Sequence, residues 1–425
     1  MKYVIIIADG AADHPLDELD GRTPFEAAKK PHTDRLAQQG RLGTAATTPA
    51  GMPCGSDVCS MSLLGYDPRK YHKGRAPLEA AALGIDIDST DWIFRVNLVT
   101  VIEGKMQDHS AGHISSDEGR RLLADFAQRI EMPNMALYPG VSYRNIMVDT
   151  SGRLGTNTSG GASAAARDWS ELRTTPPHDI PGEPMRKHLP VGGRHAELLQ
   201  MMIAQSEVFF ADHEINLTRK ELGELPATHV WPWGQGQKPQ IPTFESRFGL
   251  KGAMITAVDL LAGIASFIGW DRLDVPGQTS YHDTDYAAAG QHALAALEKY
   301  DIVCVHIEAP DEASHAGDAH TKVAAIEAID QHVVGPIHTA LEQRYRDVHD
   351  TGREGPGYRI LYLPDHYTAV GTRKHDATPV PFVVCGSKIH NVVRRPLTER
   401  DANESDLHVK FGHELMEYFL FSGLL

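Results

Sequence analysis

The 425-residue chain is poor in cysteine, in positive charge and in long apolar runs. Its four cysteines (Cys54, Cys59, Cys304 and Cys385) form no C-x-x-C pair and are too few for a disulfide scaffold. The net charge of −15 argues against nucleic acid or an anionic membrane surface as the main partner. No stretch approaches the ~18 apolar residues of a membrane span, and the apolar run in MKYVIIIADG is too short for a signal peptide. We therefore expect a cytoplasmic protein.

Apolar runs alternate with helical periodicity at both ends of the chain. Residues 3–9, 301–311 and 358–366 predict strands that are buried on both faces, as in a parallel sheet. Residues 31–40 and 321–343 predict helices. This alternation predicts an α/β domain with a mostly parallel sheet.

The middle of the chain has a different composition. Residues 93–103 and 135–149 predict strands, with a helix at 116–130 between them. Residues 151–168 are small and polar, which is typical of a surface insertion. These features predict an α+β domain that is separate from the α/β domain.

The domain boundaries follow from these changes in pattern. We expect a discontinuous α/β domain at 1–90 and 191–425, with a smaller α+β domain inserted at 91–190. Hinges near 85–92 and 185–195 would then allow the inserted domain to move.

Carboxylates follow the predicted strands at Asp9, Asp311 and Asp365. The carboxyl ends of strands line the ligand crevice in open α/β sheets, so these groups can converge. Histidines lie close to two of them in the sequence: His315, His366 and His375. Asp and His together suit Mn²⁺ or Zn²⁺ better than Mg²⁺. Each pair alone is also explained by an ordinary ion pair, so spacing leaves a two-metal site and structural pairs as alternatives.

The tripeptide GSD at 55–57 stands directly before an apolar run that predicts a helix. Ser56 and Asp57 are suitable N-cap residues for that helix. Alternatively, Ser56 is a nucleophile, placed where backbone donors and the positive end of the helix dipole favour a phosphate. The local sequence leaves both interpretations open, and it predicts that Cys59 is a small buried helix residue.

Several stretches together resemble the archaeal-type 2,3-bisphosphoglycerate-independent phosphoglycerate mutases, which are related to alkaline phosphatase. They are IIIADGAAD (5–13), GSDVCSMSLLGYDP (55–68), GRAPLEAAALGI (74–85), HIEAPDEASHAGD (306–318), LPDH (363–366) and HDATPVPF (375–382). They occur in order over nearly the whole chain. The resemblance implies an alkaline-phosphatase-like α/β fold, with a mostly parallel sheet flanked by helices and a smaller inserted α+β domain. Residues 1–90 and 191–425 would form the metal-binding, phosphatase-like domain, and residues 91–190 the substrate-binding or lid domain.

The resemblance also implies two divalent ions and no 2,3-bisphosphoglycerate. Manganese is the first expectation, with magnesium, cobalt or zinc as alternatives. One ion would be held by Asp311, His315 and His375, and the other by Asp9, Ser56, Asp365 and His366. Ser56 would then be the catalytic nucleophile that takes the phosphoryl group.

Arg95, His113 and Arg144 are the candidates for holding the phosphate and carboxylate of the substrate, because cationic donors bind such groups. His113 stands where the family motif DxSAGHI has its histidine. Each arginine is also compatible with an ordinary surface ion pair. Ala289 departs from the family, which usually has a lysine at this place.

The implied activity is that of an isomerase of glycolysis and gluconeogenesis, which interconverts 3-phosphoglycerate and 2-phosphoglycerate through a phosphoserine intermediate. The substrate would be a small phosphorylated acid. A homoserine kinase-like phosphotransferase and a metal-dependent phosphatase are the alternatives. The sequence lacks the nucleotide-binding pattern G-x-x-x-x-G-K-[ST], which argues against a kinase. The oligomeric state is not predicted.

Overall fold

A computed structural model describes residues 1–156, 166–345 and 356–423 of the chain. It divides into two compact units, which are Met1–His72 with Ile241–Leu425 and the intervening Lys73–Gln240. Much of the surface insertion predicted at 151–168 lies outside the described residues. Within the described part, no helix is both long enough and apolar enough to cross a membrane.

The bounds of the elements are as follows. The strands are β1 (Lys2–Ala8), β2 (Arg41–Ala45), β3 (Trp92–Ile102), β4 (Lys105–Asp108), β5 (Met135–Pro139), β6 (Arg144–Asp149), β7 (His229–Gln237), β8 (Gly252–Ile255), β9 (Asp271–Arg272), β10 (Ile302–Ile307), β11 (Tyr358–Leu363), β12 (Tyr367–Ala369), β13 (Lys374–Asp376), β14 (Val380–Gly386) and β15 (His408–Val409). The helices are α1 (Pro24–Ala27), α2 (Pro31–Gln39), α3 (Ser56–Leu63), α4 (Pro68–Tyr71), α5 (Arg75–Ala82), α6 (Ser116–Arg129), α7 (Ala196–Ala211), α8 (Glu214–Glu221), α9 (Phe244–Phe248), α10 (Asp259–Phe267), α11 (Tyr286–Ala296), α12 (Ala309–Ala316), α13 (Ala319–Ile329), α14 (Gly335–Tyr345), α15 (Glu399–Asn403) and α16 (Leu415–Phe421). A π-helical turn, Asp330–Val334, joins α13 to α14.

The first unit is built on a sheet with the strand order β15-β2-β14-β11-β1-β10-β8-β9. The strands from β11 to β9 run parallel to one another, and β14 and β2 pair antiparallel. Central strand β1 is apolar and buried on both faces, which is why its sequence shows a continuous apolar run and no alternation. The predicted mostly parallel α/β sheet is confirmed.

The central strands are in register at their carboxyl ends. Ile7 of β1 lies opposite His306 of β10 and Leu363 of β11, so the residues that follow these strands meet at one edge. The expectation for Asp311 was wrong in one respect, because it does not end a strand. Strand β10 stops at Ile307, and Asp311 lies in the first turn of α12, where Pro310 favours the start of a helix.

The second unit contains an antiparallel sheet. Strand β3 pairs with β6 on one side and with β7 on the other, while β5 pairs with β6 and β4 with the end of β3. Its core includes Leu98 of β3, Phe126 of α6 and Phe210 of α7. This unit therefore has the α+β character predicted for the inserted domain.

The unit boundaries differ from the predicted 91–190. Strand β7 pairs with β3 from Trp92 to Val99, and α5 packs against both strands, so these elements belong to the second unit. The sequence of β7, HVWPWGQGQ, contains proline and glycines that weaken its strand signal. The stretches where hinges were expected, 85–92 and 185–195, lie inside the second unit.

A buried lysine stabilises the turn that follows β1. The Lys322 side chain of α13 is fully buried, and its ammonium donates to the carbonyl oxygens of Ala12 (3.2 Å) and Thr368 (2.8 Å) and to Asp13 Oδ2 (2.9 Å). Burial lowers the pKa of Lys322, and the Asp13 carboxylate opposes this shift. An ammonium has three donors, and all of them are used here. Lys322 therefore ties the turn after β1 to strand β12.

Replacing Lys322 should destabilise the first unit. Lys322→Met leaves the Asp13 carboxylate buried without its counter-charge, which costs about 3–5 kcal/mol of unfolding free energy. Differential scanning calorimetry should show a clearly lower melting temperature. Lys299→Met, at an exposed lysine, is the control and should leave the melting temperature unchanged. Equal melting temperatures for Lys322→Met and the wild type would contradict this role.

Candidate metal centre

The residues predicted to hold metal all lie at one edge of the first unit. Asp9 follows β1, Asp365 and His366 follow β11, and Ser56 begins α3. The remaining members come from α12 and β13: Asp311, His315 and His375. They form two adjoining groups, because the rings of His366 and His375 have their centroids 4.1 Å apart.

The first group consists of Asp311, His315 and His375, whose ligand atoms lie within 4.8 Å of one another. His315 Nε2 is 3.2 Å from Asp311 Oδ2, and His375 Nε2 is 3.5 Å from Asp311 Oδ1. The two Nε2 atoms are 3.0 Å apart. One carboxylate and two imidazole nitrogens therefore converge on a single point.

The hydrogen bonds of the two imidazoles fix their tautomers. His315 Nδ1 lies 3.0 Å from the carbonyl oxygen of Arg373, and His375 Nδ1 lies 3.2 Å from that of Cys54. A carbonyl only accepts, so each Nδ1 carries the proton and each Nε2 presents a lone pair. Two lone pairs that face each other need a proton or a cation between them. This donor set fits a divalent ion.

The pKa values of this group also indicate that positive charge is favoured between its ligand atoms. The hydrogen bond that the Asp311 carboxylate accepts raises the pKa of His315 to about 9. Burial works against a charge on His375, but Asp311 still raises its pKa. Burial alone would also raise the pKa of Asp311, yet the two imidazoles hold it well below its usual range. Asp311 is thus ionised and draws positive charge to this point.

The second group surrounds His366. Its Nε2 is 3.1 Å from Ser56 Oγ, and 3.4 Å from both Asp9 Oδ1 and Asp365 Oδ2. These two carboxylate oxygens are buried and have no hydrogen-bond partner among the described residues. Burial, reinforced by the carboxylates of Asp365 and Asp311, raises the pKa of Asp9 well above its usual range. Buried carboxylate oxygens without donors fit a second cation.

Thr368 sets the tautomer of His366. Its hydroxyl donates to Asp311 Oδ1, so its oxygen accepts from His366 Nδ1 at 3.0 Å. His366 Nε2 is then a lone-pair nitrogen that faces Ser56. Burial lowers the pKa of His366, which favours the same neutral form. Sequence reasoning missed Thr368, because a threonine in a buried strand has no distinguishing signal.

His306 is a second residue that sequence reasoning missed, although it lies in the quoted stretch HIEAPDEASHAGD. Its Nε2 is 2.8 Å from Asp9 Oδ2 and its Nδ1 is 3.1 Å from Thr256 Oγ1. Burial lowers the pKa of His306 to about 4, so the ring is neutral. It holds one oxygen of Asp9 and leaves Oδ1 open. A lone histidine in the apolar run of β10 was the available signal.

Asp365 is held in a similar way. Its Oδ1 accepts from the backbone N–H groups of Gly10 (3.2 Å) and His366 (3.0 Å), which leaves Oδ2 open. Gly10 has φ +59°, and a Cβ at this position would lie 2.5 Å from both Asp311 Oδ1 and Thr368 Oγ1. Only glycine therefore allows the turn after β1 to approach the carboxylates so closely.

The interpretation of Ser56 as an N-cap is wrong. The N-cap of α3 is Gly55, and Ser56 is the first residue inside the helix. The Ser56 hydroxyl faces His366, and Asp57 Oδ2 lies 2.7 Å from His72 Nε2. Ser56 is half-buried, at a helix end whose backbone donors favour an anion.

The predicted substrate residues belong to the second unit, and two of them are members of a basic cluster. The Arg95 guanidinium lies 4.0 Å from the ring centroid of Trp233, and its Nε lies 2.9 Å from a Glu79 carboxylate oxygen. Burial lowers the pKa of Arg95, and the charge of Arg144 acts in the same direction. Both arginines therefore lie in one electrostatic environment.

Aromatic contacts connect the rest of this cluster. The His178 ring lies 5.3 Å from Trp233 and 6.1 Å from His109, and His109 lies 5.6 Å from Tyr143. The exposed Arg144 lies over the same tyrosine at 4.6 Å. His109 and His178 were not predicted here, because they are distant in sequence.

The third predicted substrate residue, His113, has an exposed side chain at the turn that also holds His109. Its backbone is left-handed, with φ 52°, and its N–H donates to Ser110 Oγ. Ala289, where a lysine is usual, is fully buried in α11. The structure thus supports a basic cluster around Arg95 and Arg144 more directly than around His113.

Comparison with known proteins agrees with this geometry. Residues 37–216 match the family described as 2,3-bisphosphoglycerate-independent phosphoglycerate mutase. The chain is 45% identical over 420 residues to the enzyme of that name from Methanothrix thermoacetophila, covering 99% of this chain and 100% of the relative. It is 41% identical over 420 residues to 2,3-bisphosphoglycerate-independent phosphoglycerate mutase 2 of Methanothermobacter thermautotrophicus, covering 99% and 97%. A solved structure from Pyrococcus horikoshii is similar with a TM-score of 0.78, at 25% identity, covering 99% and 96%.

A divalent cation should stabilise the protein through these carboxylates. Adding Mn²⁺ to chelator-treated protein should raise the melting temperature, since a ligand at 100 times its Kd contributes about 2.7 kcal/mol. Asp9→Asn should reduce both this shift and the bound manganese measured by plasma mass spectrometry. Asp274→Asn changes an exposed carboxylate of the same unit and should preserve both. Identical manganese content in the two variants would remove Asp9 from the site.

Proposed function

Because the chain belongs to the 2,3-bisphosphoglycerate-independent phosphoglycerate mutase family, we propose that it interconverts 3-phosphoglycerate and 2-phosphoglycerate through phosphorylation of Ser56. The observation that carries the proposal is the Ser56 hydroxyl, 3.1 Å from the neutral His366 and beside unpartnered carboxylate oxygens. The substrate is then a small phosphorylated acid, and the reaction is a cytoplasmic step of glycolysis and gluconeogenesis. Ser56 itself carries the phosphoryl group, so no 2,3-bisphosphoglycerate is required.

Two ions complete the proposed centre. Asp311, His315 and His375 would hold one, and Asp9, Ser56, Asp365 and His366 would hold the other. Manganese is the first choice, because carboxylate and imidazole ligands together suit it. Divalent ions bound here would lower the pKa of the Ser56 hydroxyl and neutralise charge on the phosphoryl oxygens.

The residues around Ser56 prepare it for transfer in both directions. Ser56 Oγ forms a bond to phosphorus as the bond from phosphorus to the 3-oxygen of the substrate breaks. The 2-oxygen of the bound glycerate then takes the phosphoryl group and releases Ser56. The first turn of α3 presents backbone N–H groups at this point, and these donors favour the phosphoryl group throughout.

The basic residues of the second unit are proposed to bind the rest of the substrate. Arg95 is oriented by Trp233 and Glu79, so its planar guanidinium is ready to bind a carboxylate or phosphate. Arg144 and His113 are proposed as further contacts. We propose the second unit as a substrate-binding lid, because water that reached phosphorylated Ser56 would release the phosphate.

The first test is an enolase-coupled assay of chelator-treated protein with 3-phosphoglycerate and without 2,3-bisphosphoglycerate. Turnover should appear on addition of Mn²⁺, and Ser56→Ala should lower it at least ~1000-fold, as loss of a catalytic nucleophile does. Mass spectrometry should find a phosphoryl group on Ser56 of the wild type. The control is Ser60→Ala, whose hydroxyl lies on the same helix without a hydrogen-bond partner among the described residues.

Full activity of Ser56→Ala would exclude the phosphoserine route. Homoserine with ATP serves as a parallel substrate. Phosphorylation of homoserine, without turnover of 3-phosphoglycerate, would mean that the substrate is misassigned.

A second test addresses the substrate-binding arginine. Arg95→Gln removes a charge-assisted hydrogen bond worth about 1.5–3 kcal/mol, so kcat/KM for 3-phosphoglycerate should fall roughly 10- to 100-fold. Arg95→Lys keeps the charge without the planar donors, so its kcat/KM should lie between those of the wild type and Arg95→Gln. Arg120→Gln, at an exposed arginine of α6, should match the wild type. Unchanged kcat/KM in Arg95→Gln would exclude Arg95 from substrate binding.

A further inference from the structure

We propose that Cys54 and Cys59 are a redox-modification site, in which a small disulfide oxidant joins them across Ser56 and inactivates the nucleophile. The two cysteines bracket Ser56, with Cys54 in the turn before α3 and Cys59 inside the helix. The formation of the disulfide is independent of the proposed function, whereas its effect on turnover rests on that function.

The two thiols are already close together. Thr48 Oγ1 lies 3.3 Å from Cys54 Sγ and 3.2 Å from Cys59 Sγ, so one hydroxyl contacts both sulfurs. Cys54 is half-buried, while Cys59 is buried. This arrangement provides an attacking cysteine and a resolving cysteine.

The other two cysteines of the chain lack this arrangement. Cys304 lies in β10 and Cys385 in β14, and both are buried within the sheet of the first unit. Strands β1 and β11 lie between β10 and β14. Cys304 and Cys385 therefore serve as internal references for a reaction that is selective for Cys54 and Cys59.

The chemistry balances with a glutathione-type disulfide as the oxidant. The Cys54 thiolate attacks the oxidant, forms a mixed disulfide and releases one glutathione thiol. The Cys59 thiolate then attacks the Cys54 sulfur, forms the intramolecular disulfide and releases the second thiol. The protein loses two electrons and two protons, and the oxidant is reduced to two thiols. Excess dithiol reverses both steps.

The disulfide would disturb the metal centre as well as Ser56. The Cys54 thiol donates to the carbonyl oxygen of Asp376 at 3.3 Å, and its own carbonyl accepts from His375 Nδ1 at 3.2 Å. A disulfide requires a sulfur–sulfur distance of about 2.05 Å, so the Cys54 sulfur must move away from the carbonyl oxygen of Asp376. The first contact is lost outright, since an oxidised sulfur has no proton to donate. The turn that carries Ser56 then moves with Cys54.

The test treats the fully reduced wild-type chain with oxidised glutathione, blocks the remaining thiols with N-ethylmaleimide and maps the peptides by mass spectrometry. We expect one Cys54–Cys59 disulfide, loss of two hydrogen masses, and full reversal by dithiothreitol. Cys59→Ala should instead stop at a glutathione adduct on Cys54. Cys385→Ala is the matched control and should form the disulfide like the wild type.

Turnover and manganese binding are then compared before and after oxidation. Both turnover and manganese binding should fall at least ~10-fold in the oxidised wild type, and both should return on reduction. For Cys59→Ala, turnover after oxidation is compared with the turnover of the same variant before oxidation. A glutathione adduct on Cys54 as the end product in the wild type, or a disulfide that changes neither manganese binding nor turnover, would overturn the proposal. If the disulfide forms and abolishes manganese binding in a protein without mutase activity at any stage, the proposed function fails and the modification site stands.

Discussion

The crowding of Asp9, Asp311 and Asp365 at one edge of the sheet is the constraint on which the rest of the first unit depends. Parallel strands in register deliver these carboxylates to one place, and Gly10 lets the turn after β1 approach them. Burying like charges together is unfavourable unless a counter-charge is bound. The lysine buried nearby, Lys322, does not supply it, because its donors are used by Asp13 and two carbonyl groups. These carboxylates therefore form a candidate site for cations from outside the chain.

The residues behind the ligands supply orientation without charge. His306 holds one oxygen of Asp9. The Thr368 hydroxyl donates a hydrogen bond to Asp311 and accepts one from His366. The contact from His306 leaves Asp9 Oδ1 open toward the metal centre, and the contact with Thr368 leaves His366 Nε2 open toward it. Such outer partners fix the tautomer and rotamer of the ligands, which is why a metal site needs more residues than its ligands.

Sequence patterns were informative where the structure depends on short-range order. The runs at 3–9 and 358–366 predicted central strands, and the quoted motifs contain all the candidate ligands: Asp9, Ser56, Asp311, His315, Asp365, His366 and His375. Strand pairing between residues distant in the chain could not be predicted from the sequence. The partnership of β7 with β3, which sets the unit boundaries, leaves no local periodicity, and Thr368 resembles any buried strand residue. The position of Asp311 in a helix follows from Pro310, which favours the start of a helix, and agrees with its i,i+4 spacing to His315.

The two groups of the centre differ in what holds them. In the group around His366, the side chains of Asp9, Asp365 and His366 are fully buried beside the ends of sheet strands, so the fold itself fixes them, whereas Ser56 is half-buried. In the other group, the imidazoles of His315 and His375 are oriented by the backbone carbonyls of Arg373 and Cys54, and 36% of the His315 side chain is exposed. The geometry of this group thus depends on loops, one of which leads directly to Ser56. Any event that moves that loop changes the positions of Ser56 and His375 together, whereas Asp9 and Asp365 are held at the ends of sheet strands.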